Sequence, residues 1–283
     1  MKKSKKGYLL LLPALFIIIT TVVYPVIRTF FFSLQNYNLT EPYNIKWIGF
    51  KNYEKVLKSP EFYAALKNSL IILVLTVIIA FVCSVIVGLI LNEKLRISPI
   101  LTAIAIIPWA LPPLVNGIIW KFIFYPGYGL MNKILINLHI IEKPIMWTVN
   151  LKTTLFVVSV VVAWRVVPFC AILILSTLKN IPDDLYEAAL VDGASKAQQF
   201  REITLPMLLP SMAIVLIQIT MAAINVFDEV VTITGYKLEA ATLLIYNYMH
   251  TFSYLNFGYG SAITYIIMIL SGIIGYFYIK DAN

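Results

Sequence analysis

Six long apolar stretches leave this chain one solvent in which to fold. They lie at about 8–33, 69–91, 99–123, 153–177, 210–233 and 260–280. A helix of about 20 mostly apolar residues crosses a hydrocarbon core about 30 Å thick. Inside lipid every backbone N–H and C=O must be satisfied within its own segment, so the stretches are expected to be helices. The predicted fold is an all-α integral membrane protein with six transmembrane helices, one domain over 1–283 with no room for a soluble module. Charged residues make up only 13% of the chain, about half the share found in soluble domains.

The net charge of +8 invites a nucleic-acid reading. No basic stripe is interleaved with aromatics for base stacking, so the charge reads as loops and tails at a membrane surface and excludes a nucleic-acid partner. Cys83 and Cys170 both fall inside apolar stretches. They read as small apolar fillers, since neither a disulfide framework nor a metal-site spacing follows from them.

Lys2, Lys3, Lys5 and Lys6 precede the first stretch and predict a cytoplasmic N-terminus. A secretory signal is the competing reading. The apolar run continues past Tyr24-Pro25 to Phe32 without a small-x-small cleavage site, which favours an uncleaved first helix. Six crossings then return Lys280-Asp281-Ala282-Asn283 to the cytoplasm. Outer loops are expected near 34–68, 124–152 and 234–259, with a short surface helix around Trp47–Leu57. Tyr37, Tyr43, Trp47, Phe50, Tyr53 and Trp147 read as an interfacial aromatic belt. Of the inner connections, 92–98 is brief, whereas 178–209 is long and informative.

In that loop Pro182 suits the first turn of a helix, because its missing N–H costs nothing there. Asp183 and Asp184 complement the positive end of the dipole. Leu185, Ala188, Ala189 and Asp192 recur at helical spacing and share a small, flat face. Gly193 can adopt positive φ and stop the helix. Ser195 can cap a second helix running to Ile203. Pro206 and Pro210 are then expected to break the chain before the fifth crossing. The product is a cytoplasmic helix–turn–helix. An amphipathic turn resting on headgroups is the plainer alternative, but it requires neither the central glycine nor so few basic residues.

Glu187, Ala188 and Ala189, then Gly193, then Ile203, Leu205 and Pro206 carry the spacing Glu-Ala-Ala, three residues, Gly, nine residues, Ile-x-Leu-Pro. The pattern resembles the signature of permease subunits of binding-protein-dependent ABC importers, in the inner loop where that family carries it. Further likeness is to the sugar-type permeases, in particular the larger maltose-system membrane subunit. It rests on Leu12-Pro13-Ala14-Leu15, Tyr24-Pro25, Ser33, Gly49-Phe50-Lys51-Asn52-Tyr53, Pro108, Trp120, Gly129 with Asn132, Trp164, Ile181-Pro182, Phe227-Asp228 and Gly258-Tyr259. One segment departs. Such permeases carry Thr-x-Gly-Gly-Pro after the fifth span, whereas Thr232-Ile233-Thr234-Gly235-Tyr236-Lys237 lacks the second glycine and the proline.

The resemblance implies half of a heterodimeric pathway in a prokaryotic cell membrane. A second, dissimilar permease would complete the pore, and an extracytoplasmic binding protein would deliver a sugar or oligosaccharide. Two ATP-binding cassette subunits would bind ATP and Mg, leaving this chain without a cofactor or a metal. It also implies that the 182–206 loop couples to an ATPase, with Glu187 meeting a basic residue there.

Polar groups at membrane depth tend to face a bundle interior or a wet cavity. Asn116, Arg165, Gln218, Asn225, Asp228 and Glu229, with Trp120, Trp164, Phe227 and Tyr246 nearby, are the candidates for a substrate path. Aromatic faces plus hydrogen-bonding groups suit a sugar. For each the structural alternative stands: Arg165 pairing with a carboxylate, Trp120 belonging to the interfacial belt, Asp228 and Glu229 simply wet. The enzyme motifs His-Glu-x-x-His, Gly-x-Ser-x-Gly and Gly-x-x-x-x-Gly-Lys-Ser/Thr are absent. A chain without the last cannot hydrolyse ATP alone. A secondary transporter or channel is the alternative function, and it predicts inverted repeats, broken helices and buried acids near the midplane. An intramembrane enzyme would need a catalytic pair that the stretches do not contain.

Overall fold

The structure is a computed structural model that describes residues 5–93 and 96–281. Lys2 and Lys3, part of the 92–98 connection, and Ala282-Asn283 lie outside the described residues. The N-terminal part contains α1 (Lys5–Ile18), a π turn (Ile19–Val23), α2 (Tyr24–Ser33), α3 (Lys51–Lys58) and α4 (Pro60–Asn92). Next come α5 (Ser98–Ala105), α6 (Ile107–Ala110), α7 (Pro113–Ile123), α8 (Leu130–Asn137) and α9 (Leu151–Leu178). The rest comprises α10 (Asp183–Val191), α11 (Lys196–Gln199), a π turn (Phe200–Thr204), α12 (Leu205–Ile224), α13 (Asp228–Thr234), α14 (Leu243–Tyr248) and α15 (Phe257–Asp281).

Five helices are long and apolar enough to cross a membrane, or six if the bent pair Ser98–Ala110 and Pro113–Ile123 is one crossing. That pair corrects the third expected span, which is not a straight rod. It bends by 97° between its two arms. Leu111 is extended (ψ 134°) and Pro112 follows it, as steric conflict with a following proline ring demands. Pro112 and Pro113 also supply no N–H to continue the ladder.

The fifth span needs correction too. Helix runs from Lys196 to Ile224, breaks at residues 225–227 and resumes only as the short α13. Pro206 and Pro210 do not break the chain. Before Pro206 the backbone widens into a π turn, so that Leu205 N–H donates to Phe200 C=O, five residues back. The extra carbonyl makes room for a proline that can neither donate nor tolerate a tight turn before it. The same device precedes Pro25, where Tyr24 N–H donates to Ile19 C=O.

The contacts divide into two compact units. One comprises Met1–Phe62 and Tyr246–Leu270. Asn52 is its hub: 3% exposed, it donates through Nδ2 to Ser33 C=O at 2.8 Å and Gln35 C=O at 2.9 Å. Beside it Ser33 Oγ and Tyr53 OH share a 2.7 Å bond. Gly258, at the start of α15, lies so close to the Gln35 carbonyl that no Cβ fits. The expected surface helix is present as α3.

The other unit comprises Tyr63–Ile245 and Ser271–Asn283. Its centre is α9, the most buried of the spans, packed by α12, α6, α13 and α7. A mostly apolar helix with no polar face belongs inside, and Leu155, Val158, Val161, Val162, Ile174 and Leu175 are all buried. Asn132 organises the 124–152 loop. Its Oδ1 accepts from Ile145 N–H at 3.1 Å and from Trp147 Nε1 at 2.8 Å, while Nδ2 donates to the Pro126 and Ile145 carbonyls. Trp147, expected in an aromatic belt, is thus bonded inside its own loop.

Candidate functional site: an exposed helical hairpin and a buried polar cluster

The inner loop folds as a helix, a glycine turn and a second helix. Pro182 is the N-cap of α10, and Asp183 and Asp184 occupy its first turn. Gly193 takes φ +81°. Its N–H donates to Leu190 C=O at 3.0 Å, and Ala194 N–H reaches back to Ala189 C=O at 2.8 Å. This paired closure is the Schellman arrangement, which satisfies the last carbonyls of a helix and favours glycine. Ser195 then caps α11 with a reciprocal capping box to Gln198. A 2.9 Å bond between Tyr186 OH and Thr204 Oγ1 ties the two helices together.

Leu185, Glu187, Ala188, Asp192 and Gly193 are exposed, and Ala189 is half-buried. The expected face therefore divides at Ala189. The outward apolar surface also includes Leu190 and Val191, 61% and 88% exposed. Simple helical spacing missed both because it followed the small residues. Beyond the turn, Ile203 and Leu205 are half-buried and Pro206 is exposed.

Five of the intramembrane candidates pack together through α7, α9 and α13. Glu229, 1% exposed, accepts from Arg165 Nε at 2.7 Å. It is not wet, contrary to one reading of its position. Glu229 lies in the first turn of α13, beside the helix N-terminus that favours a carboxylate. Gly117 lets α13 approach α7: a Cβ there would collide with Thr232 Oγ1 and come within 3.1 Å of Glu229 Cα. Asn116, fully buried, donates through Nδ2 to Val161 C=O on α9 at 3.1 Å. Trp120 and Trp164 meet edge-to-face at 5.5 Å and line a cavity of about 360 Å³ with Cys83, Pro108 and Ala163.

Other candidates stand apart. Asn225 is exposed and turns its Nδ2 back to Met221 C=O on its own helix at 2.8 Å. Phe227 is the N-cap of α13, and Asp228 shares its first turn with Glu229. Gln218 is exposed, and Tyr246 lies in the other unit, bonded to Tyr259 OH at 2.8 Å. A larger cavity of about 720 Å³ is lined by Lys121, Tyr125, Thr148, Lys237 and Glu239. Lys237 belongs to the segment that departs from the sugar-permease pattern. Its retained glycine, Gly235, takes φ 69° and ψ −156°, a conformation essentially reserved for glycine.

A broken third helix and a buried acid are features that a secondary transporter would also show, so geometry alone leaves both transport classes open. Comparison with known proteins separates them. Residues 80–282 match the family described as binding-protein-dependent transport system inner membrane component. The trehalose/maltose transport system permease protein MalF of Thermococcus litoralis is 35% identical over 95% of this chain and 90% of its own length. The sulfoquinovosyl glycerol transport system permease protein SmoG of Agrobacterium fabrum is 34% identical over 93% and 85%. A solved bacterial alginate ABC transporter, in complex with an alginate pentasaccharide-bound periplasmic protein, contains a chain of the same fold. The TM-score is 0.82 at 21% identity, over 98% of this chain and 93% of that one. The protein belongs to the binding-protein-dependent transport system inner membrane components, the permease subunits of ABC importers.

Proposed function

We propose that the chain forms half of the translocation pathway for a sugar or oligosaccharide. In this reading the chain crosses the cell membrane six times with both termini in the cytoplasm, counting the bent pair as one crossing. A dissimilar second permease completes the path, an extracytoplasmic binding protein delivers the solute, and two ATPase subunits bind ATP and Mg and supply the work. The sugar class is supported by the names of the relatives and by the Trp120–Trp164 pair beside buried hydrogen-bonding groups.

The observation that carries the reading is the exposed hairpin at 182–206. Its outward residues, Leu185, Glu187, Ala188, Leu190 and Val191, put a carboxylate among apolar groups. Large exposed apolar surface in water marks a partner interface. The Gly193 turn and the Tyr186–Thr204 bond fix α10 against the second helix. The ATPase is the proposed partner, with Glu187 facing a basic residue on it. Purification of the full-length chain with its neighbouring subunits tests this: an ATPase should accompany it. Reporter fusions at Lys58 and Ala197 should fall on opposite sides of the membrane, and a shared side would overturn the proposed topology.

A further inference from the structure

We infer that Asn116 and Trp120 form a pair that reads one hydroxyl group of the transported saccharide. This rests on the proposed sugar-import function and specifies where on this chain the sugar is recognised. Among the described residues, three buried side-chain polar atoms have no hydrogen-bond partner: Thr76 Oγ1, Asn116 Oδ1 and Trp120 Nε1. Two of the three lie one turn apart on α7. Buried polar atoms are nearly always paired, so each exception calls for a cause.

The two atoms are chemically complementary. Asn116 Oδ1 only accepts, and Trp120 Nε1–H only donates. The amide cannot turn around, because Val161 C=O is itself an acceptor and needs the Asn116 nitrogen facing it. Residues four apart on a helix are neighbours about 5–6 Å apart at Cβ. A single oxygen carrying one hydrogen can therefore lie between them, accepting from the indole and donating to the amide. A carboxylate cannot satisfy the amide oxygen, and an ammonium cannot satisfy the indole.

The surroundings fit the rest of a sugar. The Trp120 and Trp164 rings line the cavity of about 360 Å³, whose other walls include Val160, Ala163, Val167 and Pro168. Small-molecule sites are mostly apolar and aromatic; of the pair, Trp120 borders this cavity and Asn116 lies behind it, one turn earlier on α7. Both polar atoms are sealed in this conformation. A hydroxyl therefore reaches the pair only when the side chains that cover it move aside.

The test uses the complete transporter, with partner permease, ATPases and binding protein, in proteoliposomes. Uptake of maltose, trehalose and sulfoquinovosyl glycerol is measured first. Uptake of none of them overturns the sugar reading and removes the pair's ligand. For a solute that is taken up, monodeoxy analogues are compared in the parent protein and in Trp120→Phe, which keeps a ring and removes the N–H. The binding protein is common to both and cancels in the ratio. The parent protein should lose about tenfold in kcat/KM on one analogue, the scale of an unmet buried hydrogen bond. Trp120→Phe should lose about tenfold on the full sugar and less than twofold more on that analogue. If Trp120→Phe does not assemble with the ATPase, Asn116→Asp is read against the same analogues and must alter the response at one hydroxyl. Equal losses for every analogue in parent and variant, or full kcat/KM in the variant, would overturn the inference.

Discussion

The hairpin at 182–206 and the polar cluster of α7, α9 and α13 use similar residues in opposite surroundings. Glu187 is exposed on α10. Glu229 is almost fully enclosed and bonded to Arg165, 64 residues away in sequence. In the proposed function the first carboxylate faces another protein. The second is already spent on holding α13 against α9. The comparison teaches that charge in this chain has two uses, and that burial rather than residue type separates them.

Substitution in the cluster should do the most damage to the fold. Glu229→Ala leaves the Arg165 guanidinium uncompensated, and breaking a buried pair from one side costs about 3–5 kcal/mol. Thermal unfolding of the purified complex should show a large fall in Tm. The double variant Arg165→Met with Glu229→Leu should recover most of it, since apolar replacement of a whole buried pair is often neutral. An unchanged Tm in Glu229→Ala would erase the contrast between the two regions.

Gly117→Ala should come next. Its Cβ meets Thr232 Oγ1 and the backbone of Glu229, and overpacking of this kind costs about 1–3 kcal/mol. Thr232→Ala in the same chain should relieve much of the loss, measured as the same shift in Tm. In the hairpin, Ser195→Ala removes one half of the capping box, worth about 1 kcal/mol. That effect should be confined to the loop, and is best read as faster amide exchange around residues 196–199 with Tm nearly unchanged.

The smallest effect concerns His250, outside both regions. Tyr246, Tyr254 and Tyr259 surround its ring. Burial lowers its pKa, and the nearby Glu61 carboxylate opposes this in part. A His with a folded pKa below its unfolded value favours the fold while neutral. That contribution is present above the unfolded pKa and fades as pH falls through the lowered folded pKa. His250→Phe should therefore flatten a modest loss of thermal stability between about pH 7 and pH 5. The same slope in parent and variant would assign the loss to other groups.

Much of this was legible in the chain because it depends on local spacing. The hairpin's glycine, its serine cap and the helix entered at Pro182 are written within about 25 residues, and the backbone follows them closely. The apolar stretches likewise marked the helices. Two features were hidden. The prolines at 206 and 210 read as breaks because residue-level rules do not foresee a π turn that absorbs one of them. The partner of Glu229 depends on how α9 and α13 rotate against each other, and the approach of α13 to α7 depends on Gly117 of a third helix. Periodicity fixes a face only when the polar residues gather on one side, and those of α9 do not.

The claim that the hairpin transmits work from an ATPase is tested most directly by co-purifying that ATPase with Gly193→Val and Glu187→Ala variants while measuring solute uptake. A β-branched residue at φ +81° is disfavoured by about 1–2 kcal/mol, and nothing else lies within 4 Å of the added Cβ. Its effect is therefore on the turn alone. Both variants should insert and pair with the second permease, yet bind less ATPase or hydrolyse ATP without uptake. Normal ATPase association together with normal uptake in both variants would contradict the account.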